Sequence, residues 1–377
     1  MKPLGLYLHI PFCKSKCLYC DFCSFPRPSA EQVEAYVNAL CFDLERRGEM
    51  CDSYQVDTVY VGGGTPTVLD AGSLDRIMNA VSRKYHLSER AEITAECNPA
   101  TADFELLDRM RRAGWNRLSI GLQSAQAREL KALGRLHSFE AFEETWNQAI
   151  RAGFSNLSAD VMFGIPHQTE ESFADTLEKL LACKPQHLSA YALTVEEGTP
   201  FGRKGEAALD LPHEDYVRNM YLHMVQRLHS AGVEQYEISN FAVGGYESRH
   251  NLKYWNMESY LGFGVGAYSD FDGERFGNGR DLAAYLRGED ITVEREKPDL
   301  RERLNEYVML RMRLTDGIRF QSLESLFGAE AVDQVKRSLA VYEGSGLLCI
   351  TPERVAFTPE GMLVSNSILS DVLVFGE

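Results

Sequence analysis

Over its first 240 residues the chain alternates short runs rich in β-branched and aromatic residues with longer amphipathic runs of helical period. No other feature constrains the fold as tightly. LGLYLHI (4–10), TVYV (58–61), AEITAE (91–96), RLSIG (117–121), LSADVMFG (157–164) and HLSAYAL (187–193) read as strands. Helices are expected between them over 31–47, 73–85, 104–113, 139–152 and 170–182, the first with Ser29 as its N-cap. Strands that alternate with helices require a parallel sheet with right-handed crossovers. Six such units fit either a doubly wound sheet or an open barrel. The barrel, an incomplete (β/α)6 form of the α/β class, is the expectation, because chemically capable residues come from many different strands.

A seventh helical run covers 213–231 and leads to EQYEIS (234–239), read as a strand. The stretch 244–269, rich in Gly and aromatic residues, has no clear period and reads as ordered loops and short strands. The acidic stretch 288–302 reads as a solvated linker. Helices then follow over 303–313, 321–327 and 330–344, with a hairpin of LLCIT and RVAFT, and together these resemble a winged-helix-like α+β module. Three segments are expected: a partial barrel over 1–240, an irregular segment ending in the linker over 241–300, and the C-terminal module over 301–377.

Composition matters for what it excludes. With 44% hydrophobic residues the chain can bury a core without disulfide or metal staples, so a metal site would be functional. A formal net charge of −16 repels phosphate backbones and anionic lipid headgroups, so no nucleic-acid partner is expected. No stretch approaches the roughly 18–20 apolar residues of a membrane span. The apolar run near Met1 has no small-residue cleavage site and leads into cysteines, so it reads as a strand and not a signal peptide. The expected location is the cytoplasm.

Four of the nine cysteines crowd into 13–23, and Cys41, Cys51, Cys97, Cys183 and Cys349 are scattered. That pattern fits one local thiolate cluster in a reducing compartment, not a disulfide scaffold. The spacing Cys13-x3-Cys17-x2-Cys20 arises by chance in about 0.5% of chains with this cysteine content. Thiolates suit an iron–sulfur cluster or zinc. Zinc would need a fourth ligand, for which Cys23 is available, but it usually takes two C-x2-C knuckles and no second knuckle exists. A [4Fe–4S] cube held by three thiolates leaves one iron open to the amine and carboxylate of a small molecule.

In β/α barrels the working residues sit at the C-terminal ends of the strands. Strand by strand, those ends carry His9, then Gly62-Gly63-Gly64-Thr65, Glu96 with Asn98, Gly121 with Gln123, Asp160, and Tyr191. Singly each has a bland alternative: a tight turn, a surface carboxylate, a satisfied polar group at the rim or, for Arg135, a solvated loop charge. With the cysteine loop they form a pocket able to hold amine, carboxylate and hydroxyl groups.

CxxxCxYC after the first strand and GGGTPT after the second resemble the radical S-adenosylmethionine (SAM) superfamily. More narrowly, YLHIPFC, GGGTPT, E-x-N-P, SIGLQS, LGRLHS and D-x-x-x-G-I-P resemble the oxygen-independent coproporphyrinogen III oxidase family over most of residues 4–270. The resemblance implies that Cys13, Cys17 and Cys20 bind the cluster and that Gly63, Gly64 and Thr65 contact the methionine end of SAM. It implies that Tyr7 and Glu96 bind the cluster-bound SAM. Tyr19, Gln123, Arg135 and Asp160 match positions that hold a second SAM in the oxidase. It further implies a low-potential cluster, toward the negative end of a range of roughly −700 to +450 mV, supplied by an electron donor such as flavodoxin or ferredoxin.

The chain departs from the oxidase pattern. Where the oxidase has a fourth cysteine two residues after the third, this chain has Phe22, with Cys23 one later, and strand 1 begins near Met1 without the oxidase's N-terminal extension. His250-Asn251-Leu252-Lys253-Tyr254-Trp255 resembles the HNxxYW haem-binding signature of the family's haem-chaperone branch. His250 suits an axial iron ligand, and Tyr254 and Trp255 suit a porphyrin face or loop packing. The alternative is a buried, hydrogen-bonded His beside core aromatics. The reading adopted is a haem chaperone with a [4Fe–4S] cluster, SAM and haem (His250, Asn251, Tyr254 and Trp255 toward haem), serving haem-accepting proteins that include membrane-bound ones. The rival is anaerobic decarboxylation of coproporphyrinogen III.

Overall fold

Along β1 (Lys2–Ile10) Leu4, Leu6, Leu8 and Ile10 are fully buried, and Gly5, Tyr7 and His9 occupy the alternate positions. Period-2 alternation sends the leucines outward beneath helices and the other set inward. The same alternation recurs in β2 (Tyr54–Gly63), β3 (Leu87–Cys97), β4 (Arg117–Gln123), β5 (Leu157–Phe163) and β6 (His187–Ala192). Their outward residues, such as Val59, Val61, Leu118, Ile120, Leu157 and Leu188, join Trp115 and Trp146 in one core. The chain is described by a computed structural model over residues 1–99 and 101–373.

The helices start where the chain supplies capping groups. Ser29 caps α1 (Ala30–Arg47) in a capping box with Gln32, as expected. Asp70, Asp103, Ser138 and Thr169 cap α2 (Ala71–Lys84), α3 (Phe104–Arg112), α4 (Phe139–Arg151) and α5 (Glu170–Ala182). Each cap contributes about 1 kcal/mol. α6 (Glu214–Ser230) follows β6.

β1 to β6 pair in chain order, all parallel, as the incomplete (β/α)6 barrel requires. Beyond β6 lie two short antiparallel edge strands, β7 (Glu234–Gln235) and β8 (Asn240–Ala242), in place of one strand over 234–239. The stretch without clear period contains helix α7 (Arg249–Trp255), started by a Ser248 cap, and β9 (Tyr260–Phe263), which pairs parallel to β1 on its free side. Seven residues are too short to display a 3.6 period. β10 (Tyr268–Phe271), β11 (Glu274–Asn278) and β12 (Thr292–Glu296) continue the sheet antiparallel. The acidic stretch read as a linker therefore supplies an edge strand; its charges suit an exposed edge.

α8 (Leu300–Arg311) opens on an Asp299–Glu302 capping box. The C-terminal module has the winged-helix-like arrangement: β13 (Ile318–Arg319), α9 (Phe320–Phe327), α10 (Ala329–Leu339) and the hairpin β14 (Leu348–Ile350) and β15 (Arg354–Phe357). It meets the barrel where Ile238 N–H donates to Arg313 O (2.9 Å) and Thr315 N–H to Tyr236 O (3.1 Å). Among the described residues no helix is long and apolar enough to cross a membrane.

Candidate functional site

The loop after β1 is tied into a closed turn. Phe12–Cys13 pairs with Phe25–Pro26, and Arg27 N–H donates to Cys13 O (2.9 Å). Within it Cys13, Cys17 and Cys20 line one cavity of about 580 Å³, with Tyr19 and Phe22 beside them. Burial pushes the Cys13 and Cys20 thiols above their ordinary range. Thr65 Oγ1 donates to Cys13 Sγ (3.7 Å) and Arg135 Nη1 to Cys17 Sγ (3.6 Å), contacts that favour thiolates. Cys23 stands outside the lining: its side chain lies against Gly266, and its carbonyl accepts from His9 Nε2 (2.7 Å). Because a carbonyl can only accept, Nε2 of His9 carries the proton and Nδ1 accepts from Tyr7 OH (3.0 Å).

The Gly-rich turn after β2 lies against this loop. Gly64 N–H donates to Ile10 O and Thr65 N–H to Phe12 O, both 2.8 Å. Gly63 has φ +107°, a region that disfavours side chains. Its N–H donates to Glu96 Oε2 (2.9 Å), and Tyr60 OH donates to Glu96 Oε1 (3.0 Å). Burial, and then the neighbouring Asp160, push the Glu96 carboxyl up to about 7. Asp160 is also raised by burial, and accepts from Ser119 Oγ at 2.9 Å. Gln123 sits at φ +67°, where the β4–β5 register slips after Gly121. Such a bulge re-aims a side chain at the rim of a barrel. Arg135 Nη2 donates to Asn98 Oδ1 (2.8 Å) and Gly121 O (2.7 Å), while its buried Nε has no partner among the described residues.

Gly63, Gly64, Thr65, Glu96, Gln123, Arg135, Asp160 and Tyr19 thus all line the cavity that holds the three thiols. Tyr7 is one step removed, its hydroxyl spent on His9. Tyr60, Ser119 and Met162 also line the cavity and were missed from sequence. Counting back by two from Gly62, Gly121 and along β5 would have found them. The arrangement fits a cluster and a small zwitterion beside it: three thiols in one lining, a glycine cradle, a desolvated carboxylate, and a guanidinium nitrogen without a partner among the described residues.

His250, Asn251, Tyr254 and Trp255 are not brought to this cavity. They lie on α7, which closes the opposite end of the barrel. His250 Nδ1 bonds Thr58 Oγ1 (2.8 Å) and Nε2 bonds Tyr254 OH (2.8 Å). Thr58 and Gly63 are about 16 Å apart along β2 at ~3.3 Å per residue. Glu92 accepts from Arg249 N–H (3.2 Å) and His250 N–H (3.1 Å) at the N-terminus of α7. Asn251 N–H donates to the Ser248 cap (3.3 Å), and Tyr254 packs edge-on to Tyr260 with centroids 4.6 Å apart.

Burial lowers His250 to about 3. A base whose folded pKa is depressed contributes stability above its unfolded pKa, and that stability is lost as pH falls through about 6.5 toward 3. Between pH 7 and 5 the ratio of folded to unfolded protein is expected to fall about 25-fold more in the wild type than in His250→Gln. Paired urea titrations check this, since the difference between the two proteins cancels the other titrating groups. Equal slopes would mean that His250 is not held neutral.

The Radical SAM superfamily model matches residues 7–180, and the HemN C-terminal domain model matches residues 299–364. The heme chaperone HemW of Bacillus subtilis is 32% identical over 97% of this chain and 98% of its own length. HemW of Escherichia coli K12 is 32% identical over 98% of each chain, and HemW of Synechocystis is 34% identical over 98% of this chain and 96% of its own. The structure of E. coli coproporphyrinogen III oxidase (HemN) superposes with a TM-score of 0.87 over 100% of this chain and 91% of that one, at 22% identity, a likeness of fold. With its thiolate loop, glycine turn and barrel in place, and with end-to-end similarity to these relatives, the chain belongs to the radical SAM superfamily and, within it, to the HemW family.

Proposed function

We propose that this protein is a haem chaperone: it binds haem and passes it to haem-accepting proteins, membrane-bound ones among them, and it carries a [4Fe–4S] cluster and SAM. The observation that carries the reading is the end-to-end similarity to proteins described as heme chaperone HemW. Cys13, Cys17 and Cys20 would hold the cluster. Gly63, Gly64, Thr65 and Glu96 would hold SAM beside it, with Tyr19, Gln123, Arg135 and Asp160 in the same lining and Tyr7 behind His9. When bound, these groups would supply one-electron chemistry, fed by a donor such as flavodoxin or ferredoxin.

The chain's own residues prepare that site. Thr65 and Arg135 direct O–H and N–H donors at two thiols. Glu96, holding Gly63 N–H and Tyr60 OH, ties the glycine turn to the barrel wall. His9 pins the cysteine loop through the Cys23 carbonyl.

A haem titration of the anaerobically reconstituted protein, followed at the Soret band, tests the reading. Saturable binding, and loss of the bound haem to an apo-haemoprotein, are expected. No binding under either reducing or oxidising conditions would sink it. Formation of protoporphyrinogen IX from coproporphyrinogen III would favour the oxidase instead.

A further inference from the structure

The haem reading and the structure pull His250 in different directions. An axial ligand must present a nitrogen lone pair to open space, yet His250 is 1% exposed and both its nitrogens are bonded inside the protein. Its ring stacks on Tyr60 (centroids 5.3 Å apart, planes 27°) and leans on Tyr7 at 6.5 Å. The hydroxyl of that same Tyr60 is bonded to Glu96. From His250 to the carboxylate that grips the glycine turn there is thus a single aromatic ring.

The seat of α7 is built for this closed position. A Cβ at Gly5 would lie 2.9 Å from Lys253 Cδ and 3.2 Å from His250 Cε1, so only glycine at Gly5 lets the helix dock without displacing these side chains. Lys253, 2% exposed, bridges Asp57 (2.8 Å) and Glu258 (3.0 Å). Glu92 holds the first two backbone N–H groups of the helix. To ligate an iron, His250 must give up at least one of its two bonds, to Thr58 or to Tyr254, and the packing of its ring against Tyr60 and Tyr254 must open, since the residue is 1% exposed.

We propose that His250 is a positioning residue for Glu96, acting through Tyr60, and that haem ligation by His250 and SAM seated on Glu96 therefore oppose each other. The proposal rests on the haem-chaperone reading for its haem arm. Its coupling is reciprocal: whatever factor haem imposes on SAM affinity, SAM imposes on haem affinity.

The test measures SAM affinity by equilibrium dialysis on the full chain with its cluster reconstituted, with and without haem. Four proteins are compared: wild type, His250→Ala, His250→Gln and Tyr60→Phe, each checked for folding by circular dichroism. His250→Ala and Tyr60→Phe are expected to weaken SAM binding at least fivefold. Haem is expected to weaken SAM binding to the wild type by a similar factor. His250→Gln, whose amide keeps one donor and one acceptor, is expected to restore SAM affinity and make it indifferent to haem. This rescue separates positioning from mere loss of packing.

If His250→Ala and Tyr60→Phe bind SAM within twofold of wild type, and bound haem leaves SAM affinity unmoved, the proposal is overturned while the chaperone reading stands. If the wild type binds no haem at all, the chaperone reading falls and the antagonism falls with it. Should His250→Ala fail to fold, the haem arm decides: SAM affinity that falls with haem in the wild type and holds in His250→Gln supports the proposal, and an equal response in both overturns it.

Discussion

Cys17→Ala, like Cys13→Ala or Cys20→Ala, is expected to abolish the iron–sulfur cluster, and Cys23→Ser to leave it intact. The three thiols share one cavity and Cys23 lies outside its lining. Three is already the minimum for a cube with an open iron, so loss of any one leaves two protein ligands and no stable site. The loop's other ties are hydrogen bonds, among them Leu18 N–H to Leu133 O (3.1 Å), Phe201 N–H to Leu18 O (3.0 Å), Phe25 N–H to Pro11 O (2.6 Å), Arg27 N–H to Cys13 O (2.9 Å) and the His9 bond to Cys23 O. Iron and sulfide content after anaerobic reconstitution, with electron paramagnetic resonance of the reduced protein, measures the result. Full iron in Cys17→Ala together with loss in Cys23→Ser would make Cys23 the third ligand instead.

The second large effect is expected at Gly64. A Cβ there would sit 2.6 Å from Phe12 O and 2.8 Å from Ile10 O and Phe12 N, all backbone atoms that cannot swing aside. Gly64→Ala must therefore break the two 2.8 Å bonds that join the glycine turn to the start of the cysteine loop. Overpacking of this kind costs about 1–3 kcal/mol. The same displacement parts Thr65 from Cys13, so SAM and cluster binding should fall together. Gly244→Ala, with nothing among the described residues within 4 Å and no left-handed φ, is the matched control and should be neutral. Urea midpoints and SAM affinity of the two variants decide the matter. A Gly64→Ala protein as stable as the control would show that the turn and loop move freely against each other.

Cys17 and Gly64 are both legible in the sequence itself. The six β/α units, the Ser29 cap, the thiolate spacing and the strand-end residues are local signals: periods of 2 and 3.6, a capping side chain, a glycine run. Each is written within a few residues, so the chain alone announces it. The rim of the cavity is readable for the same reason, because a strand's C-terminal end is marked by where its apolar run stops.

What lies beneath the rim was decided by tertiary structure. Tyr60 becomes a partner of Glu96 only once β2 and β3 are in register. Gly5 meets Tyr260 from the far side of the barrel domain's sequence, a pairing no local pattern encodes. Cys23 differs from Cys20 only in the direction the closed loop turns it. The HNxxYW stretch, too short to declare a helix, leaves both ligand and plug open in its residue types, and only the resemblance favours the ligand. Closure of the barrel over an interior lined with polar groups supplied Thr58 and Glu92 as its partners, and Tyr254, one helical turn on in the same motif, takes the remaining nitrogen of His250. A motif's residue types determine which bonds it is able to make, and the long-range contacts of the folded chain determine which of those it has already made.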